Sequence, residues 1–109
     1  MPERKPEYWL ECVGPGWRPI VKECLDAIIP LGAHITQVKE KFGGLRVYYA
    51  LTLNHNETIV AEIRRAEYLA GVTCEDCGEP GVKVEIRGWL KTLCEKHLTE
   101  RQKIEKIME

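Results

Sequence analysis

Apolar residues recur at helical spacing through the first third of the chain: Trp17, Val21, Cys24, Leu25, Ile28 and Ile29. Steps of three and four place them on one stripe of a helix. Pro19 suits its first turn, Pro30 and Gly32 stop it, and Arg18, Lys22, Glu23 and Asp26 form its solvated face. The period then drops to two. From Ile35 to Leu53 the chain reads as two strands around Gly43-Gly44, a pair suited to a two-residue turn in which both central residues need positive φ. That turn predicts Phe42 opposite Leu45, Lys41 opposite Arg46, Glu40 opposite Val47, Lys39 opposite Tyr48 and Val38 opposite Tyr49. Alternation then gives a core face of Val38, Phe42, Leu45, Val47, Tyr49 and Leu51, and an outer face of Gln37, Lys39, Lys41, Arg46 and Tyr48. Glu40 is the misfit. It falls on the core face near the tip, where it must reach solvent or pair with an arginine from elsewhere.

Helical spacing returns with Ile59, Ile63, Ala66 and Ala70, with Asn56 or Thr58 as the cap and Gly71 as the residue just past the end. Ahead of all this, residues 1–16 hold Pro2, Pro6, Gly14, Pro15 and Gly16 and read as an extended arm. Its Tyr8-Trp9-Leu10 cluster either docks on the body of the domain or anchors a partner or a second copy of the chain; the oligomeric state stays open. The last residues, from Leu98, read as a charged helix with Leu98, Ile104 and Ile107 as a thin apolar stripe.

The cysteines add chemistry to this pattern. Cys74, Cys77 and Cys94 group with His97 as C-x2-C-x16-C-x2-H. Zinc takes four thiolate or imidazole ligands in a tetrahedron, and two ligands from each of two tight turns are a simple way to build one. Gly78, just after the first pair, is free to take a positive φ. The second pair opens the final helix, where i and i+3 share a face and the helix N-terminus favours thiolate. Between the pairs, Val82 to Ile86 alternate as a strand, Arg87-Gly88-Trp89 reads as a turn, and Leu90 to Leu93 can return. Knuckle, hairpin and helix in that order predict a treble-clef finger holding one structural Zn2+. A redox CxxC would need a βαβ setting, which the pattern lacks. Cys24 reads as a core thiol and Cys12 as a loop thiol; five free thiols suit a reducing cytoplasm.

The fold class expected is therefore α+β: an N-terminal helix, a β-hairpin and a second helix packed on a C-terminal treble-clef finger. The segments are the arm at 1–16, an α-β-β-α core at 17–73 and the finger at 74–109, in one domain.

Charge narrows the function classes. With 16 basic and 17 acidic residues in 109, the formal net charge is -1, which argues against a general nucleic-acid coat. No apolar run has the length to span a bilayer, and MPERKPEYWLEC lacks the apolar core of a secretory signal. The polarity is local: residues 34–53 carry 3 basic and 1 acidic side chains, while residues 74–109 carry 7 and 8.

GW-x-P-I-V from Gly16, QVKEKFGGLRVYY, CEDCGEPG and GWLKTLCEKH together resemble a family of small uncharacterised proteins found mainly in bacteriophage and prophage genomes. The resemblance covers about Gly16 to His97. It implies expression inside an infected bacterium, hence the bacterial cytoplasm, and a role in binding a host or phage macromolecule, with a host defence component as one kind of target. It supplies no catalytic residue.

Three functions compete. The first is a non-enzymatic protein-binding module that uses Gln37, Lys39, Lys41, Arg46 and Tyr48 against an acidic protein. Those lysines could equally keep a solvated strand soluble. The second is nucleic-acid binding through the same face, with cations on phosphates and Tyr48 on a base. The third is an enzyme of the HNH-nuclease kind. That needs free histidines with companions, whereas His34 and His55 stand alone and no phosphate loop or nucleophile motif is present. The expectation is a non-enzymatic binding protein whose partner is a protein, with nucleic-acid binding through the basic hairpin face as the alternative.

Overall fold

The computed structural model describes residues 4–51 and 56–108, with side chains described through residue 102. Within the expected extended arm lies a short helix instead, α1 (Pro6–Leu10), with proline at its start. The reason is Trp9. It is buried, as is Val13, and seating it on the core favours a helical turn over an extended chain. Arg18 Nε donates to the Leu10 carbonyl at 3.1 Å and fastens the end of α1.

A single 3-10 turn, Pro15–Trp17, leads into α2 (Arg18–Ile28). Val21, Cys24, Leu25 and Ile28 are buried, and Arg18, Lys22, Glu23 and Asp26 are exposed, as the period requires. Ile29 opens a further 3-10 turn to Leu31, and Gly32, at φ 100°, reverses the chain.

Strands β1 (Ala33–Lys41) and β2 (Gly44–Leu51) pair antiparallel, but not in the expected register. Lys41 faces Gly44, Glu40 faces Leu45, Lys39 faces Arg46, Val38 faces Val47 and Gln37 faces Tyr48. The turn is therefore Phe42-Gly43, at φ 55° and 77°, and Phe42 is 65% exposed rather than in the core. The faces otherwise keep their parity, so Val38, Leu45 and Val47 are buried, with Tyr49 and Leu51 packed at the margin. The register shifts between Ile35 and Gln37, which leaves Thr36 as a bulge. That extra residue lets Ala33 and Ile35 share the buried face with Val38.

Helix α3 (Glu57–Ala70) is capped by Asn56, whose side chain accepts from the Thr58 amide at 2.9 Å. Ile59, Ile63, Ala66 and Ala70 are its buried stripe, packed on α2 and the hairpin. Gly71 does not take the left-handed conformation expected of it; its φ is -66°. The helix end is closed by Thr73, whose hydroxyl donates to the Leu69 carbonyl at 2.6 Å and whose amide donates to Ala70 at 3.2 Å.

The chain then forms a tight turn at Cys74–Gly78, the strands β3 (Val82–Ile86) and β4 (Trp89–Leu93), and α4 (Glu95–Met108). β3 and β4 pair from Val82–Leu93 to Ile86–Trp89, so the turn is Arg87-Gly88 and Trp89 belongs to the strand. Ile104, Ile107 and His55 lie outside the residues whose side chains are described. The fold is α+β, with four α-helices and two separate two-stranded hairpins among the described residues. None of its helices is long and apolar enough to cross a membrane.

Candidate metal centre

Cys74 and Cys77 are presented by a turn that is tied down on three sides. The Gly78 amide donates to Cys74 O at 3.0 Å and Gly78 sits at φ 84°, as its position after the second sulfur predicts. On the first side, the N-terminal segment lies directly against the turn. The Gly16 amide donates to Glu75 O at 2.8 Å, and Trp17 Nε1 donates to Thr73 O at 2.8 Å. A Cβ on residue 16 would collide with Cys74 O and come within 2.5 Å of Gly78 N, so the approach requires glycine there. On the second side, Glu75 pairs with β4: its amide donates to Thr92 O at 2.9 Å, and its carboxylate accepts from the Thr92 amide at 2.7 Å. On the third, Arg101 of α4 donates to both oxygens of Asp76, at 2.8 and 2.9 Å. The two residues between the cysteines thus hold the knuckle to the strand and the helix that bring the other two ligands.

Cys94 lies between the end of β4 and the start of α4. Its carbonyl accepts from the Leu98 amide at 3.0 Å, which makes it the N-cap, and His97 follows in the first turn on the same side. The ligand atoms of Cys74, Cys77, Cys94 and His97 all lie within 4.8 Å of one another. Cys77 Sγ is 3.8 Å from Cys94 Sγ, and His97 Nδ1 is 3.7 Å from Cys74 Sγ and 3.2 Å from Cys94 Sγ. A tetrahedral zinc with bonds of about 2.3 Å to sulfur and about 2.0 Å to nitrogen separates two sulfurs by about 3.8 Å and a sulfur from a nitrogen by about 3.5 Å. The donor set therefore fits one zinc-sized ion. The ring nitrogen facing the sulfurs is Nδ1; Nε2 points away, 3.8 Å from Glu100 Oε2, which can orient the ring from behind.

The electrostatics run the same way at one sulfur. A backbone hydrogen bond from His97, supported by the imidazole and the other two thiols, lowers the Cys94 thiol to about 7. Cys77 is shifted upward: a backbone hydrogen bond from Glu79 lowers it, but desolvation and the adjoining Cys74 and Cys94 outweigh that. Three thiols this close compete for charge, and a cation held among them would remove the competition. Burial pushes the Glu75 carboxyl up against the opposing pull of the Thr92 amide and Lys91. Lys91 Nζ lies 3.1 Å from Glu40 Oε1 and 3.7 Å from Glu75 Oε1, so one half-buried lysine bridges the first hairpin and the knuckle. This is the partner the misplaced Glu40 needs: a lysine of β4 rather than an arginine.

The other expected site residues lie elsewhere. Gln37, Lys41, Arg46 and Tyr48 are exposed on the outward face of the first hairpin, and Lys39 is half-buried with its Nζ 5.6 Å above the Tyr48 ring. They share one face as expected, and Lys39 sits directly opposite Arg46. His34 is in β1 and is not part of the Cys-His cluster. Cys24 is buried, with its thiol pushed up to about 11 by burial and then by Glu62, Glu67 and Glu23; Cys12 is exposed. Motif spacing finds the four candidate ligands but misses Gly16, Glu75, Asp76, Thr92 and Arg101, because contacts between separate elements leave no periodic trace. The chain matches no family model, no curated protein and no solved structure.

Proposed function

We propose that the chain is a zinc-stabilised binding protein with no reaction of its own. The observation that carries this is the spacing of the four donor atoms, all within 4.8 Å. Three thiolates and one imidazole fill a tetrahedral zinc and leave no position for water or substrate, so the ion holds structure together. Two ligands from a knuckle, an intervening hairpin and two ligands from the start of a helix are the plan of a treble-clef finger. The recognition face is the outward side of the first hairpin, where Lys39, Lys41 and Arg46 sit with Gln37 and Tyr48, and its partner is an acidic macromolecule. In the phage or prophage setting that the sequence resemblance implies, that partner belongs to the host or the phage, a defence component being one kind of target.

Metal analysis of purified protein should find one zinc per chain, and a fully folded metal-free protein would refute the central claim. For the face, zinc-loaded protein should be retained on immobilised heparin at low salt and released as salt rises. The Lys39→Glu, Lys41→Glu, Arg46→Glu triple variant should flow through with its zinc intact. Flow-through of the wild-type protein removes the hairpin face from the proposal.

A further inference from the structure

The two hairpin tips, distant in sequence, stand on either side of one cleft of 460 Å³. Its walls are Lys41 and Phe42 from the first tip and Arg87, Trp89 and Leu90 from the second. That volume lies within the range of ligand sites.

Three features of the cleft are unexpected for idle surface. First, both turns carry a bulky side chain at a left-handed position. Phe42, at φ 55°, and Arg87, at φ 52°, are the two non-glycine residues with positive φ among the described residues. Asparagine, aspartate or glycine would fill either position with less strain. Second, Phe42 is 65% exposed and Trp89 is 73% exposed, whereas Trp9 and Trp17 are buried. Third, the exposed rings are accompanied by cations. Lys41 Nζ lies 5.6 Å above Phe42, Lys39 Nζ lies 5.6 Å above Tyr48, and Arg87 is two residues from Trp89 on the other wall. The cleft's one acid, Glu40, is already held by Lys91 at 3.1 Å and by the Gly43 amide at 2.8 Å.

The charge pattern extends out of the cleft along the first hairpin. Lys39 lies directly opposite Arg46, a like-charged pair that is unfavourable in itself and whose arginine also lies within electrostatic reach of the Glu67 carboxylate. Lys41 belongs both to this outward face and to the cleft. Cations set beside flat, solvent-facing rings, repeated along a track, form the arrangement in which phosphates meet the charges while unpaired bases stack on the rings. An acidic protein would use the cations but has no general need of three exposed rings beside them.

We infer that the cleft between the two hairpin tips, continued by the Lys39, Arg46 and Tyr48 face, binds single-stranded nucleic acid, with bases stacked on Phe42 and Trp89. This rests on the binding-protein reading and narrows its acidic partner to one class. Zinc is part of the site by construction, because the wall carrying Arg87 and Trp89 belongs to the hairpin lying between the two ligand pairs.

The test uses the full zinc-loaded chain and a short fluorescein-labelled oligothymidylate. Anisotropy should rise on binding at about 50 mM salt and fall away by about 200 mM. Tryptophan emission should be quenched, and since Trp9 and Trp17 are buried, the quenching reports Trp89. Phe42→Asn puts a residue suited to the left-handed position in the turn, so the variant should melt at least as high as the wild type and keep its zinc. It should nevertheless bind about tenfold more weakly, as should Trp89→Thr. Unchanged affinity in both variants would overturn the inference. So would polyglutamate binding as tightly as oligothymidylate, which would give the cleft to an acidic protein. A protein that is retained on heparin but ignores oligothymidylate also overturns it, while leaving the binding-protein reading in place.

Discussion

The molecule contains two hairpins closed by the same kind of turn, and they are held in place by different physics. The first, β1–β2, buries Ala33, Ile35, Val38, Leu45 and Val47 against α2 and α3. The second, β3–β4, buries only Thr92 and Leu93, and its Val82 and Trp89 are largely exposed. An isolated two-stranded ribbon without an apolar face is marginal in water. What the second hairpin lacks in buried area, the four metal donors on either side of it can supply. The contrast teaches that a chain of this length can build one core by hydrophobic patterning and a second lobe by coordination.

The comparison is broken most severely by removing the metal. Chelation, or Cys77→Ser, should abolish amide protection in β3 and β4 and leave the β1–β2 amides protected, as read by hydrogen exchange; structural zinc contributes on the order of 10 kcal/mol. Thiol titration should follow the same line. Cys12 should react with zinc bound, Cys74, Cys77 and Cys94 only after chelation, and Cys24 only in denaturant. Equal loss of protection in both hairpins would show that they fold as one unit.

Next in size is the reverse experiment. Leu45 is 1% exposed, so Leu45→Ala should cost about 3 kcal/mol in urea unfolding while zinc content stays at one per chain. A smaller effect is expected at the bridge between the lobes. Lys91→Ala leaves Glu40 and Glu75 facing each other without their shared cation, which should cost about 1–2 kcal/mol given the partial exposure of the lysine. The Glu40→Gln variant should recover part of that loss when combined with it; simple additivity would deny the coupling.

The last effect, spread over a range of pH, is confined to the first lobe. Burial holds the Cys24 thiol at about 11, against 9.0 for an ordinary thiol. Between those values the unfolded chain has released a proton that the folded chain retains. Stability should therefore fall as pH rises through that window, by at most about 3 kcal/mol. Cys24→Ala should flatten this alkaline limb; an unchanged slope would assign it to other groups.

Much of the first lobe was legible because its burial is periodic. Trp17, Val21, Cys24, Leu25 and Ile28 announce α2, and Ile59, Ile63, Ala66 and Ala70 announce α3. The cluster of four candidate metal donors was legible because their spacing is itself the chemistry. The hairpin register was not. Gly43-Gly44 is the less strained turn, yet Phe42-Gly43 forms, because Gly43 is held from three directions. Its amide donates to Glu40, its carbonyl accepts from the Thr92 hydroxyl at 2.7 Å, and a Cβ there would lie 3.2 Å from the Lys91 nitrogen. Two of those contacts come from residues about 50 positions away, and local turn preference carries no information about them. The helix in the supposed arm was hidden for a related reason: Pro6, Gly14, Pro15 and Gly16 signal irregular chain, and only docking of Trp9 selects a helical turn among them.

Gly16 and Trp17 have a consequence in time. Both are made more than 50 residues before their hydrogen-bond partners, Glu75 O and Thr73 O. The turn they dock on is shaped by a donor set completed only at His97. The contacts that seat Trp17 therefore follow the making of Thr73 and Glu75, and an ion held by the four donors would fix the turn on which they close.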